Sequence, residues 1–443
     1  MIKTPIADFL RRYGEGDFVR FHMPGHKGNA ILGCEGWDIT EIAGADSLYE
    51  ADSIIAESEA NAAALFGTRR TCFSTEGSSQ CLKAMLYLAL QNRKAGTPPL
   101  IVAARNAHKA FLHGAALLDF EVVWLFPEEN RSLCSCSISA QALERCLASL
   151  PAPPAAVYLT SPDYLGGMAD IPSLAAVVHR YGTILAVDNA HGAYLRFLTP
   201  SRHPMDLGAD LCCDSAHKTL PVLTGGAYLH ISRQLGEEVA AQAKHALALF
   251  GSTSPSYLTL ASLDLCNAAL AGDLPQRMRR MTERLAEVRE ILRGRGWSVP
   301  ESDPLRLTLH ASGRGHALAE TLRASRIECE YADEDFLVLM LTAQNREADV
   351  ERLLAVLGTA DESTEPAKVL PPAKGERALS IREAFFRPHE TVSAAASLGR
   401  ICAAPTVSCP PAIPIVVSGE LIGEEAIRLF RRYGVEKVDV VKE

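Results

Sequence analysis

The alternation of apolar and polar positions predicts strands and helices that follow one another between residues 71 and 231. The apolar runs of strand length are residues 100–103, 121–125, 156–160 and 183–187. The segments with helical spacing of apolar side chains are residues 108–118, 139–150 and 172–181. This alternation is typical of an α/β fold with a mostly parallel, doubly wound sheet and helices on both faces. Such sheets bind ligands outside the carboxyl ends of their strands.

Beyond residue 270 the pattern changes and predicts smaller α+β domains toward the C-terminus. A charged amphipathic helix at 275–293 leads out of the large sheet, and residues 361–375 form a linker rich in Pro, Glu and Lys. The expected parts are an N-terminal arm and loop at 1–50, a large ligand-binding domain at 51–270, a small α+β domain at 271–360 and a C-terminal domain at 361–443.

Composition narrows the function classes. The 443 residues carry a net charge of −9 with dispersed basic residues, which argues against a nucleic-acid partner. The twelve cysteines form no CxxC pair, and Cys134 and Cys136 have no histidine at ligand spacing, so we expect free thiols and no metal site. The chain has neither an apolar stretch of ~18 residues nor the apolar run of a signal peptide at its start. We expect a soluble, cytoplasmic protein with no membrane partner.

The stretch 214–221 contains Lys218 between two apolar runs, residues 209–213 and 225–231. These runs predict buried strands, and a lysine in a loop between buried strands requires an explanation because such strands are normally apolar. Our hypothesis is that the Lys218 amine forms a Schiff base with pyridoxal phosphate (PLP).

A PLP site needs a lysine, a carboxylate for the pyridine nitrogen, a cradle for the phosphate and a flat group over the ring. The candidates, in chain order, are Gly77, Ser78 and Ser79 at a predicted helix start for the phosphate, His108 for the ring, Asp188 at a predicted strand end for the nitrogen, and Lys218 for the Schiff base. Each also has an ordinary explanation: Asp188 could cap a turn, His108 could begin a helix, and Lys218 could lie on the surface. Their order on a doubly wound pattern favours the PLP hypothesis.

Several longer motifs support a family resemblance. They are residues 22–27 (HMPGHK), Asp188 with 190–193 (AHGA), 215–221 (SAHKTLP), 254–257 (SPSY), 380–385 (SIREAF), 399–401 (GRI), 409–411 (CPP) and 419–420 (GE). Together these motifs resemble the Orn/Lys/Arg decarboxylase family of PLP enzymes with the aspartate-aminotransferase fold. The resemblance runs from about residue 5 to 430 and suits the short form, without an N-terminal regulator-like domain.

The resemblance implies a role for each site residue. Lys218 would carry the Schiff base, with His217, His108 and Asp188 as the other catalytic residues. The cofactor-binding residues would be Gly77, Ser78, Ser79, His108, Asp188, His191, Ser215, His217, Lys218, Ser252 and Thr253. The loop 251–254 would reach the phosphate of a neighbouring subunit, which implies a homodimer with active sites at the subunit interface.

The implied reaction is decarboxylation of arginine, lysine or ornithine to a polyamine or diamine with release of CO2. Two positions depart from the family pattern: Asn189 stands where the family usually has Glu, and Gly225 where it often has Gln. Candidate carboxylates for the basic substrate side chain are Asp46, Glu50, Glu383 and Glu390.

Two other functions remain open on the sequence. The first is another PLP enzyme, either a lyase acting on sulfur amino acids or an aminotransferase that clamps the substrate α-carboxylate with Arg306 or Arg382. The second is a homologue that has lost activity and regulates a partner. The presence of both Lys218 and Asp188 argues against the second.

Overall fold

The computed structural model describes residues 2–128, 132–360, 370, 372–405 and 411–442. The chain folds into two compact units, Met1–Lys94 with Val178–Arg279 and Ala95–Val177 with Arg280–Glu443. The domain limits at 50, 270 and 360 stay predictions. Most of the proposed linker 361–375 and the first two residues of the motif 409–411 lie outside the described residues.

Twelve strands are found in the described part of the chain. They are β1 (Arg70–Ser74), β2 (Leu100–Ala104), β3 (Glu121–Leu125), β4 (Ala156–Thr160), β5 (Ile184–Asp188), β6 (Leu211–Asp214), β7 (Ala227–Ile231), β8 (Arg306–His310), β9 (Tyr331–Ala332), β10 (Phe336–Met340), β11 (His389–Ser393) and β12 (Lys437–Val441).

The same residues form sixteen α-helices. They are α1 (Pro5–Glu15), α2 (Ile54–Phe66), α3 (Ser78–Gln91), α4 (Lys109–Leu118), α5 (Ala140–Ser149), α6 (Ile171–Arg180), α7 (Pro204–Leu207), α8 (Ala216–Thr219), α9 (Glu237–Ala241), α10 (Ala243–Ala248), α11 (Tyr257–Leu270), α12 (Leu274–Gly294), α13 (Gly315–Ala324), α14 (Glu347–Leu357), α15 (Ile381–Phe386) and α16 (Glu424–Arg432). None that the structure describes has both the length and the apolarity to cross a membrane.

Strands β1 to β7 alternate with helices and pair mainly in parallel within their units, which confirms the predicted α/β class. In the first unit the order is β1-β7-β6-β5, with β5 and β6 parallel and β7 antiparallel to both of its neighbours. In the second unit β4, β2 and β3 are parallel neighbours. The second unit also holds two small antiparallel sheets, β8-β10-β9 and β11-β12, as the predicted α+β regions require.

The predicted elements are confirmed, with most ends shifted by one or two residues. The run 183–187, for example, forms β5 (Ile184–Asp188), and 275–293 forms α12 (Leu274–Gly294). One local prediction was wrong: Lys218 lies in the single helical turn α8, not in an irregular loop. The Leu220 N–H donates to the Ala216 carbonyl at 2.8 Å and closes the turn. Pro221 follows and cannot donate a further helical hydrogen bond.

Candidate active site

Lys218 meets a histidine at the carboxyl end of the parallel strand pair. Strand β6 ends at Asp214, and the turn α8 carries Lys218 four residues later. The Lys218 Nζ lies 2.9 Å from the Nε2 of His191, which follows the end of β5 and is 6% exposed. A lysine amine and an imidazole nitrogen at this distance form a hydrogen bond. The sequence-predicted lysine and one predicted cofactor-binding histidine are therefore in direct contact.

Asp188 is the last residue of β5 and is 4% exposed. Its Oδ1 accepts the Ala190 N–H at 3.1 Å, and the Cys213 Sγ lies 3.7 Å from the same oxygen. Cys213 is the residue opposite Asp188 in the β5–β6 register, so both side chains lie on one face of the sheet. Burial raises the pKa of the Cys213 thiol well above its usual range, which keeps it a neutral neighbour of the carboxylate.

The start of α3 joins the lysine turn through two hydroxyls. Ser78 and Ser79 are the first residues of α3, and the Ser215 hydroxyl donates to the Ser78 Oγ at 2.7 Å. Gly77 precedes the helix with φ of 76°, and a Cβ there would meet no atom within 4 Å. Its N–H donates to the Gly225 carbonyl at 2.7 Å. The helix start thus offers open space and hydroxyls, while the Gly77 N–H is already bonded.

His217 is held by the carbonyl group of Gly226, which belongs to the glycine pair that follows α8. Its N–H and its Nδ1 lie 3.2 Å and 3.1 Å from the Gly226 carbonyl oxygen, so the Nδ1 carries the proton and donates. Gly225 has φ of 95°, and a Cβ there would lie 2.5 Å from the Thr75 carbonyl oxygen. The positive φ and the close approach suit a glycine at this position, where the resemblance leads one to expect glutamine.

The loop 251–254 contacts the region before α3 within the same chain. The Ser252 N–H donates to the Glu76 carboxylate, and a Cβ on Gly251 would overlap the Tyr49 hydroxyl and the Gln80 amide. Ser252 and Thr253 are exposed. Their contact with the phosphate of a neighbouring subunit stays a prediction.

His108 lies in the second unit, where it begins α4. Its Nδ1 accepts the Ala110 N–H at 3.1 Å, and the next residue, Lys109, donates its N–H to the Ala412 carbonyl at 2.8 Å. These bonds make His108 the helix N-cap, the ordinary explanation that the sequence left open. Stacking of His108 on a cofactor ring stays a prediction.

A buried polar cluster beside the site was not predicted from the sequence. Asp214 is fully buried and accepts from His203 Nε2 at 3.0 Å, His230 Nε2 at 3.1 Å and Asn189 Nδ2 at 2.6 Å. A histidine within the apolar run 225–231 was the available clue, because a buried polar side chain needs partners. The run had been interpreted only as a strand.

The two arginines considered as substrate clamps are occupied within the second unit. Arg306 is 1% exposed, donates to the carbonyls of Asp163 and Tyr164 at 2.7 Å and 2.9 Å, and pairs with Asp303 at 3.0 Å. Arg382 donates to the Ala116 carbonyl at 2.8 Å. Both guanidinium groups thus have structural partners.

The four carboxylates considered for the substrate side chain also have partners. Asp46 accepts four backbone N–H groups around the start of α2, and these bonds lower its pKa against the opposing effect of burial. Glu50 accepts from the Ser47 hydroxyl, Glu383 caps α15, and Glu390 pairs with Arg400. The structure singles out none of them as a substrate contact.

The chain is similar to curated proteins along nearly its whole length. It is 29% identical over 475 residues to the uncharacterized protein YaaO of Bacillus subtilis (strain 168), a match that covers 97% of this chain and 94% of that protein. It is 28% identical to the arginine decarboxylase of the same strain, which covers 96% of this chain and 92% of that protein. The crystal structure of the Francisella novicida lysine decarboxylase LdcF matches 100% of this chain and 81% of that chain, with a TM-score of 0.82 and 17% identity. At that identity the structural likeness shows a shared fold.

Fold and site together define an α/β enzyme that holds a lysine against a histidine at the carboxyl ends of two parallel strands. The family model described as Orn/Lys/Arg decarboxylase, major domain, matches residues 4–310. The chain belongs to the Orn/Lys/Arg decarboxylase family, whose members are PLP-dependent carboxy-lyases. The resemblance inferred from the motifs is confirmed.

Proposed function

We propose that this chain decarboxylates a basic amino acid and that Lys218 carries its PLP. The observation that carries the proposal is the 2.9 Å contact between the Lys218 Nζ and His191 Nε2, with Asp188 three residues before that histidine. A lysine must lose its proton before its amine can attack a carbonyl carbon, and His191 stands where it can accept that proton.

The chain's residues fit the cofactor on three counts. Asp188 is a buried carboxylate at a strand end, as the pyridine nitrogen requires. The space beside Gly77 is open, and the next residue, Ser78, bears a hydroxyl that is bonded to the Ser215 hydroxyl. These groups belong to the same unit as Lys218, so the fit does not depend on the placement of the second unit.

PLP, when bound, supplies an electron sink for the bond to the departing carboxylate. Asp188 would keep the pyridine nitrogen protonated, and the Ser78 and Ser215 hydroxyls would bind the phosphate together with the start of α3. Lys218 would bind the cofactor and afterwards return a proton to the substrate carbon, with His191 able to exchange that proton at Nζ.

Arginine is the first substrate to test. The relatives named arginine decarboxylase in three Bacillus species and in Halalkalibacterium halodurans match 96% or 97% of this chain, at 26% to 28% identity. The constitutive lysine decarboxylase of Escherichia coli (strain K12) matches 65% of it. Lysine and ornithine therefore follow arginine in the same assay.

The purified chain supplied with PLP should develop an absorbance band at about 420 nm. Lys218→Ala should abolish the band and the release of CO2 from the preferred amino acid. Formation of a keto acid without CO2 would favour an aminotransferase, although the engagement of Arg306 and Arg382 by structural partners gives that alternative less support. Absence of the band from the unsubstituted chain would contradict the proposal and favour a regulatory homologue.

We also propose a homodimer. Several large apolar side chains between residues 18 and 32 are exposed in the single chain, among them Phe21 at 95% and Leu32 at 86%. Apolar side chains gathered in one exposed segment are typical of a surface that a partner covers. A second copy of this chain is the proposed partner. A cytoplasmic location stays a prediction.

A further inference from the structure

The buried cluster around Asp214 lies on the face of the sheet opposite Asp188. Asp188 shares its face with Cys213, and Asp214 is the next residue of β6, so its side chain points the other way. His230 pairs with Cys212 in the β6–β7 register and lies on the Asp214 face. The two carboxylates thus stand at the ends of neighbouring parallel strands, one on each face.

The hydrogen bonds fix the protonation of this cluster. The His203 Nδ1 accepts the Met205 N–H at 3.3 Å, so its Nε2 must carry the proton that it donates to Asp214. The His230 Nε2 also faces the Asp214 carboxylate, which can only accept, so it carries a proton, and its Nδ1 lies 2.8 Å from the Thr71 hydroxyl. Burial lowers the pKa of His230, in agreement with a neutral ring.

The same protonation argues against a metal ion. The ligand atoms of His203, Asp214 and His230 lie within 4.8 Å of one another, a separation that a cation could bridge. Both imidazoles, however, use Nδ1 as an acceptor and Nε2 as a donor, so neither keeps a lone pair for a metal. Burial disfavours the Asp214 carboxylate, but the two histidine contacts outweigh burial and lower its pKa. The cluster is a complete hydrogen-bond network around one carboxylate.

This network joins the two chain segments that deliver the reacting groups. Asn189 follows Asp188, and its amide donates to Asp214 at 2.6 Å while its N–H donates to the Cys213 carbonyl at 3.0 Å. After Asn189 the chain continues to His191, and after Asp214 it continues to Lys218. The Asn189–Asp214 bond therefore fastens the β5 and β6 ends together just before each segment supplies one partner of the Lys218–His191 contact.

We propose that Asp214 is a positioning residue that determines the geometry of the Lys218–His191 contact from the opposite face of the sheet. Asp214 is itself held by hydrogen bonds from His203, His230 and Asn189. The inference rests on the proposed function, because Lys218 is taken as the cofactor lysine. It also gives a role to Asn189, which departs from the family pattern: an amide can donate to the Asp214 carboxylate, whereas a carboxylate at 189 could do so only in its protonated form.

The chain contains a matched control at the other end of the same strands. Asp210 directly precedes β6, is 4% exposed, and accepts the Leu185 N–H at 2.8 Å and the His179 Nε2 at 2.9 Å. Asp210 and Asp214 are thus buried aspartates with histidine partners that tie β5 to β6 at opposite ends. The substitutions Asp210→Asn and Asp214→Asn place the same amide against N–H donors, but only Asp214 adjoins the site.

The test measures the affinity for PLP and the visible circular dichroism of the bound cofactor. The melting temperature of each cofactor-free variant is measured as well. Both substitutions should lower the melting temperature. Asp214→Asn should weaken PLP binding by about 10- to 100-fold and change the dichroism per mole of bound PLP. Asp210→Asn should keep both cofactor properties within about twofold of the unsubstituted chain.

Equal cofactor properties in the two variants, or wild-type properties in Asp214→Asn, would overturn the inference. If the Asp214→Asn variant does not fold, Asn189→Ala replaces it in the test. This substitution removes one hydrogen-bond donor to Asp214 and keeps both histidine contacts. An unchanged dichroism of PLP bound to Asn189→Ala would also contradict the inference. Failure of the unsubstituted chain to bind PLP would refute the proposed function and this inference with it. If the unsubstituted chain binds PLP and neither variant alters that binding, only this inference is refuted.

Discussion

At the scale of single residues, the Lys218–His191 contact relates a buried histidine to the reactivity of a lysine. His191 is 6% exposed, so a proton passed between it and Lys218 would be shielded from bulk water. An amine that loses its proton to a neighbouring imidazole reaches its reactive form without waiting for solvent. Under the proposed function, we expect the contact to affect the rate at which PLP attaches to Lys218, in addition to the affinity for PLP.

We expect His191→Gln to slow, by roughly 100-fold, the appearance of the band at about 420 nm after PLP is mixed with the protein. Glutamine can still hydrogen-bond to Lys218 but cannot take its proton. Stopped-flow absorbance measures the rate. His316→Gln, a change at an exposed histidine of the second unit, is the control. A His191→Gln protein that binds PLP at the unsubstituted rate would contradict the assigned proton exchange.

Gly225 is a second residue whose role is local. Its φ of 95° and the 2.5 Å approach of a Cβ to the Thr75 carbonyl predict that Gly225→Ala costs about 2–5 kcal/mol in the free energy of unfolding. Gly182 also has positive φ, at 64°, but a Cβ there meets no atom within 4 Å, so Gly182→Ala should cost only about 1–2 kcal/mol. Thermal unfolding compares the two variants. Equal losses would show that backbone conformation alone, and not the close contact, determines the cost.

At the scale of elements, the N-terminal helix α1 is held by a buried carboxylate. Asp264 in α11 is fully buried and accepts the N–H groups of Ile6 and Ala7 at 3.0 Å each and the Ser58 hydroxyl at 2.6 Å. Burial raises the pKa of Asp264 from 3.8 to about 6. The folded chain therefore retains a proton that the unfolded chain has released between these two pH values.

The stability that this retained proton provides is present below about pH 4 and is lost as the pH rises through about 6. The free energy of unfolding falls by about 3 kcal/mol over this range. The unsubstituted chain should accordingly lose stability relative to Asp264→Asn as the pH rises from 4 to 7, because asparagine does not titrate. Urea unfolding at each pH measures the difference. A difference that stays constant, or that grows with pH in favour of the aspartate, would contradict the raised pKa.

The sequence was sufficient to predict elements whose burial follows a simple period. Strand β5 and helix α12 were found within one residue because apolar side chains repeat at strand or helix spacing. The turn α8 was missed because four residues contain little periodicity, and a helix this short depends on the Ser215 and Gly226 contacts around it. The candidate site was predicted where residue chemistry is unusual, as at Lys218. It was missed where a polar side chain is explained only by distant partners, as at His230.

At the scale of the whole molecule, the apolar segment between residues 18 and 32 predicts association. We expect Phe21→Ser combined with Leu32→Ser to raise the dissociation constant of the dimer by at least about tenfold, because both side chains are almost fully exposed in the single chain. Sedimentation velocity over a range of concentrations measures the change. Leu398→Ser, at a half-exposed leucine of the second unit, is the control. A double variant that associates as tightly as the unsubstituted chain would place the dimer surface elsewhere.

The assembly of the candidate site from distant parts of the chain has a consequence for its biosynthesis. Gly77 and Ser78 come from the first segment of their unit, whereas Ser215 and Lys218 come from the second, and the residues between the segments belong to the other unit. A ribosome therefore synthesises helix α3, the proposed phosphate-binding helix, before it synthesises the turn that carries Lys218. We expect a nascent chain to acquire its cofactor only after strands β6 and β7 have emerged, so that loading with PLP is a late step of translation or follows it.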